Sequence, residues 1–89
     1  MRRIREHAQF DADLRRQRRR GKDVEELIAA VEQLAENGVL PEGYLSHPLS
    51  GDWKGVLECH IEPDWLLIYR ATPDEITLIR TGTHRDLFG

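Results

Sequence analysis

Between Val24 and Leu34 the apolar residues Val24, Leu27, Ile28, Val31 and Leu34 recur every three or four positions, the spacing of one helical face. Asp23 stands where an N-cap belongs, and Glu26 completes an Asp-x-x-Glu pattern. Gly38 is a natural stop. Upstream, Phe10 and Leu14 lie four apart and share a face, so the spacing predicts a first helix over about 9–20, ended by Gly21. Ahead of it, residues 2–8 read as a short strand with weak alternation, Ile4 standing nearly alone.

The pattern then changes. Gly38, Pro41, Gly43, Pro48 and Gly51 punctuate residues 39–53, which read as a long loop. Three strands are predicted after it: Val56 to Ile61, Trp65 to Arg70 and Glu75 to Thr81. The middle one is almost wholly apolar or aromatic, as expected of a central strand buried on both faces. Glu62-Pro63-Asp64 and Thr72-Pro73-Asp74 are turn clusters short enough to force antiparallel hairpins. Gly82 to Gly89 reads as a turn followed by Leu87 and Phe88. The expected fold is α+β, β-α-α-β-β-β, with two N-terminal helices packed on one face of an antiparallel sheet.

The chain's 89 residues allow a single domain, 1–89. One cysteine excludes an intramolecular disulfide framework and a Cys-rich zinc site, and fits a reducing cytoplasm. Cys59 reads as an inert buried thiol. No apolar run reaches the ~20 residues needed to cross a bilayer. The start, Met-Arg-Arg-Ile-Arg-Glu-His, lacks the apolar stretch of a secretory signal.

The net charge of −3 argues against nucleic acid until it is located. Residues 1–22 carry nine basic and three acidic side chains, a local +6. The remainder carries four basic and thirteen acidic ones, −9. Arg15, Arg16, Arg18, Arg19, Arg20 and Lys22 crowd the first helix and its exit. They read either as a patch for a polyanion or as a solvated, salt-bridged helix face.

Three of the four histidines lie in the second half: His47, His60 and His84. Imidazole is the side chain best suited to exchange protons near neutral pH. Hairpin pairing places His60 and Asp64 on either side of one turn, and brings the end of the last strand, with His84, beside them. Two imidazoles with a carboxylate suit a metal site or metal-free general acid–base catalysis. Catalysis on RNA also needs cations near the phosphate and stacking surfaces. Lys54 and Arg80 offer the cations, and Trp53, Trp65 and Phe88 the surfaces; Trp65 reads more readily as core.

The segments His47-Pro48-Leu49, Gly51-Asp52-Trp53-Lys54-Gly55, His60 through Tyr69, Arg80-Thr81-Gly82-Thr83-His84 and Leu87-Phe88 together resemble the RelE/ParE toxin superfamily, in its YafQ-like branch. The resemblance covers nearly the whole chain. It implies a small ribonuclease-like fold and a metal-independent endoribonuclease without cofactor that cleaves mRNA in the ribosomal A site. It places catalytic roles on His47, His60, Asp64, His84 and Phe88. His84 is then the general acid, His60 and Asp64 the base or phosphate-orienting set, His47 a stabiliser of developing charge, and Phe88 a base-positioning ring. Arg80 is the implied phosphate cation, which adds to the reading of Lys54, Arg80 and Trp65 as RNA contacts, and the arginine cluster is the implied contact for the ribosome or the antitoxin. The implied partners are a cognate antitoxin, the ribosome with its mRNA, and operator DNA only through the antitoxin, with no membrane. Leu57 departs from the family pattern, where an arginine is common. The alternative in a different class is a ParE-like interaction module, whose members generally lack this histidine set.

Overall fold

A computed structural model of the chain describes residues 1–53 and 55–89, so Lys54 lies outside the described residues. Strand β1 (Arg3–Glu6) leads into helices α1 (Ala8–Arg19) and α2 (Val24–Asn37). Short strand β2 (His47–Pro48) follows, flanked by 3₁₀ turns at Glu42–Tyr44 and Gly51–Trp53. Then come β3 (Leu57–Glu62), β4 (Trp65–Ala71), β5 (Glu75–Gly82) and a terminal helix α3 (His84–Phe88).

The strands form one sheet in the order β1-β5-β4-β3-β2. The three predicted strands pair as antiparallel hairpins, as their short turns require. β1 instead lies parallel to β5, Arg3 opposite Glu75 and Glu6 opposite Leu78, so the sheet is mixed. Everything between β1 and β5 acts as the crossover, and turn length places no constraint on that pairing. Two further elements depart from the reading of the chain. The expected loop 39–53 contains β2, and the expected terminal turn is a capped helix.

Asp23 caps α2 through Glu25 N–H at 3.1 Å. Gly38 ends it with φ +76°, a conformation strained for residues with a Cβ, and Leu34 C=O accepts its N–H. The pleat sorts the sheet. Leu57, Cys59, Trp65, Leu67, Tyr69, Ile76 and Leu78 pack toward Phe10, Leu27 and Leu34 of the helices. On the opposite face Leu66, Ile68 and Val56 pack with Leu87 of α3. From Trp65 to Tyr69 no residue is more than 1% exposed, so β4 is central and buried on both faces. Each large side chain there contributes about 1.5–3 kcal/mol of burial free energy. The candidate site residues His60 and His84 meet on the α3 face, at the end where the β3–β4 turn meets the end of β5.

Candidate active site

β3 turns alternate residues to opposite faces, so Glu58 and His60 share the face that Cys59 does not. β2 pairs with β3 in a register that sets His47 opposite Glu58. Glu58 is 5% exposed, and its Oε1 lies 3.4 Å from His47 Nε2. At the other end of the hairpin the Glu62–Trp65 turn presents Asp64 to the start of α3. Asp64 Oδ1 accepts from His84 twice, from the backbone N–H at 2.9 Å and from ring Nδ1 at 2.6 Å.

These bonds hold the Asp64 carboxyl below its ordinary value, the His84 backbone N–H contributing most and the ring next. An ionised carboxylate only accepts, so Nδ1 of His84 carries the proton and Nε2 is left for exchange with a substrate. The His60 ring stands 5.9 Å from that of His84, centroid to centroid, tilted by 46°. His60 Nδ1 is buried without a partner among the described residues, so exchange there also falls to Nε2. One donor atom each from Glu58, His60 and His84 lie within 4.8 Å of one another. Phe88, one helical turn beyond His84, is 45% exposed and meets Trp53 edge to face at 6.0 Å.

His60, Asp64 and His84 thus meet as the strand pairing predicts, and His47 joins them through Glu58. Glu58 itself is absent from the expected set. Its signal lay in the two-residue spacing from His60, which places both on one strand face. Other expected contacts are placed differently. Trp65 is 0% exposed, on the helix side of the sheet, with its indole N–H donating to Thr81 Oγ1 at 2.9 Å. A base cannot stack on it, so the reading of Trp65 as core replaces that of an RNA contact. Arg80 is bound by Asp13 of α1 at 2.6 and 3.2 Å rather than standing free for a phosphate. Of the basic cluster, Arg15 pairs with Asp11, Arg16 and Arg20 with Asp86, and Lys22 with Glu62. Arg18 and Arg19 are exposed and make no ion pair among the described residues.

Carboxylate and imidazole donors suit zinc, copper and similar ions. Here the set that could hold one is Glu58, His60 and His84, with Glu58 in the place expected of Asp64.

Residues 2–89 match the family described as the bacterial toxin of type II toxin-antitoxin system, YafQ. The mRNA interferase toxin YafQ of Escherichia coli K12 is 43% identical over 82 residues, covering 91% of this chain and 89% of that protein. Among solved structures, the E. coli DinJ-YafQ complex aligns with a TM-score of 0.91 and 41% identity, the match covering 100% of this chain and 100% of that one. A metal-bound toxin from Helicobacter pylori aligns at 0.89 with 37% identity, covering 99% of this chain and 100% of that one. Match and fold run the length of the chain, and the histidine set lies inside the matched region: the chain belongs to the YafQ family of bacterial type II toxin–antitoxin toxins.

Proposed function

We propose that the protein is an mRNA interferase that cleaves message in the ribosomal A site and is neutralised by a cognate antitoxin. The observation that carries this reading is the Asp64–His84 pair facing His60 across 5.9 Å, with Glu58 beneath them. Cleavage by the RNA 2′-hydroxyl needs one group to take its proton and another to protonate the leaving 5′-oxygen. His84 acts as the acid through Nε2, since Asp64 fixes Nδ1. Asp64 is thereby committed to orientation, which leaves the base role to His60, supported by the Glu58 carboxylate. His47 sits against Glu58 to meet charge on the phosphate, and Phe88 with Trp53 offers a surface for a base. The E. coli relative is named an mRNA interferase, and the DinJ-YafQ complex pairs a relative with its antitoxin.

The proposed chemistry needs no metal, so stripping transition metals from the toxin with a chelator, then removing the chelator before magnesium-replete ribosomes are added, leaves the rate unchanged; loss of all activity, restored by added zinc or copper, would reassign Glu58, His60 and His84 as ligands. The decisive test is single-turnover cleavage of mRNA on ribosomes, with end mapping. Cuts within codons that leave a 2′,3′-cyclic phosphate and a 5′-hydroxyl are expected. His84→Ala is expected to slow the step by roughly 10²–10⁴-fold. Full activity in that variant overturns the acid assignment. Growth arrest with intact mRNA would instead favour a non-nucleolytic interaction module.

A further inference from the structure

His84 opens a helix of five residues, too short to hold itself in water. Something must fix it: Leu87 packs in the core, Asp64 accepts the His84 N–H, and Asp86 ties the helix start to α1. Its carboxylate accepts the Thr83 N–H at 2.9 Å, while Asp86 N–H donates to Thr83 Oγ1 at 3.1 Å, a reciprocal capping box around His84. The same carboxylate reaches across to α1. Arg20 grips it at 2.6 and 3.1 Å, a two-point contact of the strong, directional kind, and Gln17 Nε2 donates to it at 3.3 Å. Arg16 stands 3.7 Å away. The approach is close: a Cβ on Gly82 would lie 2.9 Å from Asp86 Cβ and Oδ2, so glycine is required there.

We infer that Asp86, gripped by Arg20, is a positioning residue for the reaction: it latches the start of α3 to α1 and so holds His84 against Asp64 and His60. This deepens the proposed function and rests on the reading of His84 as the acid. It also gives Arg20 a role within the toxin fold rather than on a docking surface. A docking contact and a latch differ in what they move. Losing a contact to the ribosome raises KM, whereas a displaced acid lowers kcat.

The experiment combines steady-state and single-turnover cleavage on ribosomes with amide hydrogen exchange of the free protein, for Asp86→Ala, Arg20→Met and Arg20→Lys. Asp86→Ala is expected to lower kcat by roughly 10- to 100-fold, the scale of an ångström-sized misplacement, with KM within about twofold. Exchange at the Thr83 and His84 amides rises, while amides of β4 keep their protection. Arg20→Met, which leaves the capping box intact, gives a smaller loss in the same direction, and Arg20→Lys recovers part of it. In a His84→Ala background, Asp86→Ala adds nothing further. Unchanged kcat together with unchanged His84 amide protection overturns the latch. So does a rise in KM alone for the Arg20 variants, or a loss that persists undiminished without His84. Should Asp86→Ala fail to fold, the two Arg20 variants decide. If His84→Ala proves fully active, the acid assignment falls, while the exchange data still report on the latch.

Discussion

Leu57 and Glu58 are neighbours with opposite fates, because a strand turns successive side chains to opposite faces. Glu58 enters the site, whereas Leu57 packs on the helix side beside Leu40 and Tyr69, against a surface cavity of ≈ 270 Å³ that includes Gly38 and Val39. An arginine at this position therefore starts from the wrong face to steady a phosphate at His60 and His84. Leu57→Arg is expected to leave single-turnover cleavage within about twofold and to lower stability by about 1–2 kcal/mol, readable by urea titration. Asp86 offers a second single-residue test. Its carboxyl is held well below the ordinary 3.8, above all by the Arg20 hydrogen bond and then by those of Thr83. A depressed folded value stabilises the protein at pH above the unfolded value and withdraws that stability as pH falls toward the folded one. Between about pH 5 and 2, Asp86→Asn should therefore lose less stability than the parent chain, although it starts lower. Parallel slopes in urea midpoint against pH would contradict this.

Among the elements, α2 and the three hairpin strands were legible because each is written in a period with punctuated ends. α1 was half legible. Phe10 and Leu14 mark a face, but the buried line is Phe10, Asp13 and Gln17, two of them polar. The reason lies in the sheet edge. β5 outruns its partner β1 beyond Leu78, and α1 covers that edge, with Asp13 accepting the Thr81 backbone N–H at 3.2 Å as well as the Arg80 guanidinium. A polar side chain is what an exposed strand edge requires, and no hydrophobic period announces it. β2 and α3 were illegible for a related reason. A two-residue strand carries no period, and α3 is held by a capping box and by Asp64 rather than by an apolar stripe. The candidate site was legible where hairpin geometry dictates it, at His60, Asp64 and His84, and not where it depends on β2. Asp13 is 3% exposed, and removing one partner of a buried pair strands the other. Arg80→Ala, which strands the buried Asp13 carboxylate, should cost about 3–5 kcal/mol in denaturant unfolding, and Asp13→Ala, which strands a partly exposed guanidinium, should cost no more than that. Near-neutral values for both would remove the pair as the bond between α1 and β5.

At the scale of the whole molecule, the charge split at residue 22 takes a different form. In sequence it separates a +6 segment from a −9 remainder, but in a body of 32 × 30 × 27 Å the two interleave. Asp86 and Glu62 draw Arg16, Arg20 and Lys22 onto the site's own foundations, and Asp11 takes Arg15. What α1 leaves for a polyanion is then chiefly Arg18 and Arg19. Contacts with RNA phosphates release condensed counterions, so affinity falls with salt in proportion to the phosphates neutralised. Replacing Arg18 and Arg19 together with alanine should flatten the plot of log affinity for the ribosome against log salt by roughly 1–2. At moderate salt it should raise KM for cleavage and leave kcat in place. Arg20→Met should do the reverse, lowering kcat with little change in slope. If the slope is instead insensitive to Arg18 and Arg19 but responds to Arg20, the ion pair with Asp86 opens on the ribosome, and the basic helix docks through the residue that holds α3.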